Sequence, residues 1–263
     1  MRTLILCTVS ILLIGCGEAT PPADAGEAGP SPHTFQDPDV TRIHQRMMSV
    51  IAPDNGWERA RYLEFDWAVR RAPDEPPLIR SHRWDRWDGM ARVQYPTSDG
   101  ELVAVFDTSN PEAGEAWVGG EAVTGERREE LLRGAHRAHI NDAYWLIMPF
   151  KWTDPGVHLR YLGEETDEEG REWEVVELSF DDGTGLTPQN RYQAFVNPES
   201  GRMERWHHFS NADADPSPSD WVDWRRVGPI ELAENRLSGG QIRIFFPHLR
   251  VETEVPEGVF SGP

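Results

Sequence analysis

The 263-residue chain is strongly acidic, with 45 Asp and Glu residues against 26 Lys and Arg and a formal net charge of −19 at pH 7. Such a surface repels nucleic acid and anionic lipid, and the short basic clusters Arg70-Arg71 and Arg127-Arg128 stand among acidic residues. Charge therefore excludes a nucleic-acid-binding protein. The length fits one domain with a sizeable core.

The first fifteen residues have the layout of a secretory signal. Arg2 supplies a positive charge, and residues 4–14 form an apolar stretch interrupted only by a cysteine and two hydroxyl residues. Eleven helical residues rise about 16 Å, roughly half of a bilayer core, so this stretch is too short for a spanning helix. We predict that residues 1–15 are removed on export.

The motif Leu13-Ile14-Gly15-Cys16 ends the apolar stretch and resembles the lipobox of bacterial lipoproteins. The resemblance implies cleavage before Cys16 and lipid on its sulfur. By similarity to proteobacterial sorting rules, Gly17 favours the outer membrane over the inner membrane. The localisation that we predict is an outer-membrane lipoprotein facing the periplasm, with surface exposure as the alternative. The alternative is a soluble protein's signal followed by a chance cysteine, but such signals usually end in an A-x-A-like site, which is absent here. Because Cys7 is the only other cysteine, no disulfide is expected.

A flexible tether is predicted for residues 16–36, where Pro, Gly, Ala and acidic residues dominate. The folded domain is predicted to span residues 37–263. Its first helix begins at Asp37, a capping residue followed by Pro38 in the first turn, and ends near Pro53. Its apolar face comprises Val40, Ile43, Met47 and Val50.

A second helix is predicted over Gly125–His139, and almost all of the remaining domain is predicted to be strand. Leu63–Val69 shows the clearest alternation of apolar and polar residues. The other predicted strands are Leu78–Trp87, Met90–Tyr95, Leu102–Phe106, Glu115–Val118, Tyr144–Met148, Val157–Tyr161, Glu172–Phe180, Arg191–Val196, Arg202–Phe209, Trp221–Val227 and Gln241–Pro247.

Consecutive short strands predict an antiparallel meander, and a meander of this length is expected to curl. The predicted fold class is therefore α+β, with a strongly curved antiparallel sheet wrapped around one or two helices. If the helices fill only part of the concavity, an apolar groove remains beside them.

Several short motifs follow one another in the middle of the chain: Asn141–Leu146, Pro149–Trp152, Asp154–Val157, Tyr161–Gly163, Phe180, Gly185–Pro188 and Tyr192. Their order resembles an uncharacterised family of bacterial lipoproteins related to the outer-membrane lipoprotein carrier and receptor proteins, the LolA/LolB-like superfamily. The resemblance covers residues 40–210. It implies an unclosed barrel of about eleven strands, with helices over an apolar cavity that binds acyl chains or another amphiphile.

Two departures from the superfamily limit what can be carried over. The carrier is soluble, whereas this chain is predicted to be anchored. The receptor is anchored, but its protruding apolar loop is not identified here. No functional residue is therefore transferred from the resemblance.

The functional hypothesis is non-catalytic binding of an apolar or amphiphilic ligand, such as an acyl chain, a lipid or lipoprotein cargo, inside the half-barrel. Loss of Arg2 with the signal leaves a net charge of −20, so apolar burial must supply the affinity, at about 25 cal/mol per Å². The candidate wall residues are Leu63, Phe65 and Trp67, with Trp145, Phe150 and Trp152 near the mouth. A monomer without cofactor or metal is expected.

The alternative hypothesis is a carbohydrate-binding or glycan-hydrolysing lipoprotein, because eleven tryptophans accompany the 45 carboxylates. Trp84 and Trp87 lie in a polar run, where they either stack on a ligand or belong to the core and to arginine stacking. Hydrolysis requires two carboxyl groups about 5–9.5 Å apart. No pair can be singled out from the sequence.

Other polar groups fall short of known metal and phosphate motifs. His136 and His139 share a helix face but lack further ligands, and adjacent His207 and His208 point to opposite faces of a strand. An acidic series has the wrong spacing for a calcium loop, and a glycine-rich segment lacks the lysine of a phosphate loop. We interpret the acidic series (Asp213, Asp215, Asp220, Asp223) as a solvated loop and the glycine-rich segment (Asp181–Gly185) as a turn.

Overall fold

A computed structural model describes residues 33–72 and 74–263. The predicted signal peptide, the predicted lipidation site Cys16 and most of the predicted tether lie outside the described residues. No helix in the described part of the chain is long and apolar enough to cross a membrane.

The helices are α1 (Pro38–Ile51), α2 (Gly56–Arg59) and α3 (Gly125–Ile147), and α3 continues into a 3₁₀ turn (Met148–Lys151). The strands are β1 (Tyr62–Val69), β2 (Leu78–Asp85), β3 (Met90–Thr97), β4 (Gly100–Asp107), β5 (Asn110–Val118), β6 (Glu121–Val123), β7 (Val157–Thr166), β8 (Glu172–Phe180), β9 (Arg191–Val196), β10 (Met203–Phe209), β11 (Ser217–Val227), β12 (Ile230–Ser238), β13 (Gln241–Phe245) and β14 (Leu249–Glu252).

All fourteen strands belong to one antiparallel sheet, in the order β6-β5-β4-β3-β2-β1-β13-β12-β11-β10-β9-β8-β7, with β14 also paired to β1. Two meanders, β1–β6 and β7–β13, are therefore joined side by side through β1 and β13. The sheet does not close, and its edge strands β6 and β7 are connected by α3. The predicted half-barrel is confirmed, with fourteen strands in place of about eleven.

The first helix forms as its sequence predicts. The Asp37 carboxylate accepts hydrogen bonds from the amides of Asp39 at 2.9 Å and Val40 at 3.5 Å. This satisfies two of the free N–H groups at the helix start. Its buried apolar residues are Val40, Ile43, Met47 and Ile51. Val50, predicted for this face, is only partly buried at the margin of the core.

The second predicted helix is longer than expected, and the predicted strand Tyr144–Met148 is wrong. Helix α3 runs through these residues to Ile147, and Met148 opens the 3₁₀ turn. No Gly or Pro interrupts the chain between His139 and Pro149, so nothing stops the helix there. Its buried positions keep a helical spacing to the end: Leu132, Ala135, His139, Asp142, Ala143, Leu146 and Ile147.

Strand β12 is absent from the sequence prediction because its buried positions do not read as a strand. Ile230, Leu232 and Ala233 are buried, but so is Arg236, which lies opposite Trp221 of β11. A charged residue at a buried position breaks the apolar alternation on which the prediction depends. The short strands β6 and β14 were also not predicted from the sequence.

The inner face of the sheet, on which the helices pack, carries two apolar clusters. The larger joins α1 and the second half of α3 to β1 and to β8–β14, with Trp84 of β2 at its margin. The smaller lies between β3–β5 and the first half of α3. Gly114 permits this second contact, since a Cβ there would lie 2.5 Å from the Val105 carbonyl oxygen and 3.1 Å from Leu132 Cδ2.

Candidate functional site: the interior and aromatic rim of the half-barrel

The structure brings the three predicted wall residues of β1 to the inner face together. Leu63, Phe65 and Trp67 are 1%, 1% and 6% exposed and belong to the larger apolar cluster. Val69, the next residue of that series, packs against the same cluster. The predicted direction of this strand face is observed, and its side chains belong to one core with residues of α1, α3 and neighbouring strands.

Two of the residues predicted near the mouth are also core residues. Phe150 stacks on Trp57 with ring centroids 4.4 Å apart, and Trp152 stacks on His44 at 6.0 Å. Both are at most 3% exposed. The third, Trp145, is only partly buried. Of the six candidate side chains, Trp145 is therefore the one that reaches the boundary between core and solvent.

Trp145 belongs to a continuous group of rings that we call the aromatic rim, formed by Tyr144, Trp145, Tyr192, Trp206 and Trp221. The ring centroids are 4.4 Å apart for Trp145–Trp206, 5.0 Å for Tyr192–Trp206 and 5.3 Å for both Tyr144–Tyr192 and Trp206–Trp221. Trp206 and Trp221 are buried, whereas the other three are partly exposed. The rim thus connects solvent to the interior between α3 and strands β9–β11.

Three hydrogen-bonding groups of the aromatic rim are buried without a partner among the described residues. They are the Tyr144 hydroxyl and the indole nitrogens of Trp206 and Trp221. Burial raises the pKa of Tyr144 well above its ordinary value, so its hydroxyl keeps its proton. Leaving a buried donor unpaired costs about 1–3 kcal/mol. The rim therefore holds hydrogen-bonding capacity that the chain does not use.

A buried arginine fastens the C-terminal end of α3 beside the rim. Arg236 donates to the Trp145 carbonyl oxygen from Nε at 3.0 Å and Nη2 at 2.6 Å, and its guanidinium lies 3.5 Å from the centre of the Trp221 ring. Burial lowers the pKa of Arg236 well below its ordinary value. The last carbonyls of a helix lack partners within the helix and favour a positive charge, which explains this contact.

A second polar contact fastens the middle of α3 to β2. The fully buried Asp142 carboxylate accepts from Arg80 Nε and Nη2, each at 2.6 Å, and lies 2.9 Å from His82 Nε2. Burial acts to raise the pKa of Asp142, but the hydrogen bonds with His82 and Arg80 outweigh it, so the pKa lies below its usual value. Arg80 also stacks over Trp67 at 4.2 Å.

The sequence interpretation missed Arg80, His82, Asp142 and Arg236 as determinants of the interior. One signal was present for Asp142, because it continues the buried helical series of Leu132, Ala135 and His139. A charged residue at such a position predicts a buried partner on the facing element. Nothing local in the sequence identifies that partner as Arg80.

The tryptophans weighed for the carbohydrate alternative have ordinary surroundings. Trp87 is 58% exposed and lies beneath the Arg61 guanidinium, 5.2 Å from its ring centre. Trp84 is partly buried and meets His139 edge-on at 5.2 Å. All eleven tryptophans lie in the described residues, and Trp87 is the one exposed tryptophan among them. A row of exposed aromatic faces is therefore not formed in residues 33–72 and 74–263.

The remaining polar candidates also fall into structural roles. His136 meets Phe106 edge-on at 5.8 Å, and His139 lies in the interior. His207 and His208 point to opposite faces as predicted, toward Phe195 at 4.5 Å and Tyr192 at 5.0 Å. Asp181–Gly185 forms a turn region. Within the described part of the chain, no three His, Cys, Asp or Glu residues are grouped to hold a metal ion.

Comparison with known proteins finds similarity at the level of solved structures. No protein-family model matches the chain, and no curated protein matches it. Three similar structures each have a TM-score of 0.44. A LolA superfamily protein from Nitrosomonas europaea is 13% identical, with 84% of this chain and 96% of that chain covered. A DUF1329 family protein from Desulfovibrio piger is 12% identical, with coverage of 83% and 94%.

The third is a putative outer membrane lipoprotein-sorting protein domain from Vibrio parahaemolyticus, 10% identical, with 84% of this chain and 95% of that chain covered. The chain is thus similar to structures that include the LolA superfamily, which its sequence motifs resemble.

Proposed function

We propose that this chain is a non-catalytic envelope protein that binds an amphiphilic ligand, such as an acyl chain, a lipid or lipoprotein cargo, in the half-barrel. The observation that carries the proposal is the aromatic rim. Its rings lead without interruption from partly exposed Trp145 and Tyr192 to fully buried Trp221. Its three unpaired buried donors supply hydrogen bonds for the polar end of such a ligand.

The tight packing of the interior determines how the ligand enters. Leu63, Phe65 and Trp67 are at most 6% exposed, so an acyl chain reaches them only if a covering element moves. Helix α3 is that element in our proposal, since it connects the two sheet edges and is fastened by Asp142 and by Arg236. Binding begins at the aromatic rim, where α3 ends, and the entering ligand then separates α3 from β9–β11.

We further propose that lipid on Cys16 anchors the protein to the outer membrane on its periplasmic side, and that residues 17–32 let the domain move near that membrane. Of the predicted tether, residues 33–36 are described, and Phe35 packs against the core with its amide donating to Thr41 Oγ1 at 2.8 Å. The domain proper therefore begins a few residues before Asp37.

The test is extraction of ligand from the purified full chain, followed by mass spectrometry of the extract and titration with a fluorescent fatty acid. We expect a bound amphiphile or saturable binding of the probe. Trp145→Ala should weaken binding at least tenfold, because it removes the partly exposed ring at the start of the path. Trp87→Ala is the matched control and should bind as wild type. Protein without extractable amphiphile and without probe binding would contradict the proposal.

A further inference from the structure

The outer face of the sheet carries a polar cavity that the proposed function does not use. It has a volume of about 220 Å³ and lies over β1–β3, lined by Glu64, Asp66, Ser81, His82, Arg83, Arg92, Gln94 and His248. A second cavity of about 360 Å³ adjoins it, shares Glu64, Arg83 and Arg92, and is bounded by residues 257–262 near the C-terminus. We call the first of these the outer cleft.

The floor of the outer cleft is two rows of side chains set by strand register. One row is Glu64, Arg83 and Arg92, which are successive cross-strand neighbours on β1, β2 and β3. The parallel row is Asp66, Ser81 and Gln94. These positions alternate with inner-face residues such as Phe65, so they point away from the apolar core.

The positive end of the cleft is Arg92. It lies directly opposite Arg83, and like charges in that position repel each other. Arg83 is paired with Glu64, at 3.2 Å between Nε and Oε1. Arg92 is only 9% exposed and donates to the Ser261 carbonyl oxygen, but its Nε is buried without a partner. Among the described residues, no carboxylate lies within the 4.0 Å ion-pair distance of Arg92.

The negative end of the cleft is Asp66. Its carboxylate has no hydrogen bond and no ion pair within 4.0 Å in residues 33–72 and 74–263. The cavity therefore contains one carboxylate and one guanidinium that neutralise neither each other nor any described neighbour. A buried guanidinium binds carboxylate or phosphate oxygens well, and a free carboxylate binds an ammonium group.

We propose that the outer cleft binds a small zwitterion whose anionic group contacts Arg92 and whose primary ammonium group contacts Asp66. A primary ammonium is favoured over a quaternary one, because no Trp, Tyr or Phe ring lines the cavity to enclose methylated nitrogen. Ser81 and Gln94 are available for further hydrogen bonds. The same chemistry occurs in a free amino acid and in the ethanolamine phosphate head group of a lipid.

Calorimetric titration of the detergent-solubilised full chain tests this proposal with L-alanine and, separately, with glycerophosphoethanolamine. The single-charge analogues propionate and ethylamine are the ligand controls. We expect at least one zwitterion to bind, and each analogue to bind at least tenfold more weakly. Binding of L-alanine identifies a free amino acid as the source, and binding of glycerophosphoethanolamine alone identifies the head group. Absence of binding by both overturns the proposal.

Variants test whether the zwitterion binds in the outer cleft, and they distinguish a loss of binding from a loss of folding. Asp66→Asn and Arg92→Gln should each weaken zwitterion binding at least tenfold, whereas Arg137→Gln, at an exposed position of α3, should leave it unchanged. If Arg92→Gln fails to fold, Asp66→Asn still decides, because the Asp66 side chain makes no hydrogen bond that the fold requires. Wild-type affinity in Asp66→Asn overturns the proposal. The test is independent of the interior, since its ligands have no acyl chain.

Discussion

Two tryptophans predicted to contact the same ligand have different physical surroundings. Trp67 lies within the core, 6% exposed, with the Arg80 guanidinium over its ring. Trp145 is partly exposed, and its own carbonyl oxygen accepts from Arg236. Substitution of Trp67 should therefore lower stability, whereas substitution of Trp145 should weaken ligand binding.

Trp67→Ala should lower the free energy of unfolding by about 3–5 kcal/mol, because it removes a large buried ring and leaves a cavity. Urea denaturation followed by circular dichroism measures this loss. Trp87→Ala, at a 58% exposed position, is the control and should change stability by about 0.5 kcal/mol or less. Equal stability of the two variants would show that Trp67 is not part of a packed core.

Buried histidines give the fold a pH dependence above the range in which carboxylates titrate. Burial, with a smaller contribution from His82, lowers the pKa of His139 to about 3. The unfolded chain takes up a proton at His139 near pH 6.5 and the folded chain does not, so stability is complete above pH 6.5 and falls as the pH drops toward 3. From pH 7 to pH 5 this one group should remove about 2 kcal/mol.

Urea midpoints at pH 7 and pH 5 measure that loss. His139→Gln should reduce the difference between the two pH values, whatever it does to stability at pH 7. Trp87→Ala removes no ionisable group and should leave the difference unchanged. A difference that His139→Gln does not alter would assign the pH dependence to other groups.

At the scale of elements, polar contacts fasten α3 to the sheet at two points. Its middle is fastened through Asp142 to Arg80 and its end through Trp145 to Arg236. Buried polar contacts require specific geometry, whereas apolar contacts tolerate small shifts. A helix fastened in this way is expected to move between discrete positions, which suits its proposed role as the element that moves to admit a ligand.

Asp142→Asn should destabilise the protein by about 3 kcal/mol, since it leaves the partly buried Arg80 guanidinium without its carboxylate. Hydrogen exchange should accelerate in α3 more than in β8 or β9. The matched control is Asp154→Asn, which breaks the pair with Lys151, where both side chains are more than 30% exposed, and should cost about 1 kcal/mol or less. Unchanged exchange in α3 would contradict the fastening role of Asp142.

The elements that sequence predicted well are those whose signals are local. Helix α1 has its cap, its first-turn proline and its apolar spacing within fourteen residues, and Leu63–Val69 carries its alternation within seven. The end of α3 was mistaken for a strand because its aromatic and β-branched residues favour strands, and a short apolar run does not by itself distinguish a strand from a helix. Strand β12 was missed because Arg236 is buried by partners far along the chain.

The candidate site was less predictable than the fold because it depends on contacts between residues that are distant in the sequence. The inner direction of Leu63, Phe65 and Trp67 follows from strand alternation alone. Whether those side chains line a groove or fill a core depends on α1 and α3, which lie elsewhere in the sequence. The aromatic rim combines residues from α3, β9, β10 and β11, and no spacing rule connects them.

For the molecule as a whole, the proposed lipid anchor remains a prediction with a direct test. Cys16→Ser removes the sulfur that would carry lipid, so the variant should remain unprocessed or fractionate as a soluble protein. Membrane fractionation and gel mobility after lipid labelling measure both outcomes. A control at Cys7, replaced by Ser within the predicted signal, should be lipidated as wild type. Identical labelling, mobility and fractionation of Cys16→Ser and wild type would refute the anchor.

The junction between the two meanders has a consequence for the order of folding. Each meander is built from neighbouring hairpins, whereas β1 meets β13 in two residue pairs, Ala68↔Phe245 and Val69↔Ile244, and meets β14 in four more. The two pairs with β13 join positions 177 and 175 residues apart, and distant contacts are costly to form early because the intervening chain loses entropy. The meanders should therefore form first and this seam last. Ile244→Val should then speed unfolding while leaving the refolding rate nearly unchanged, which stopped-flow chevron measurements can determine.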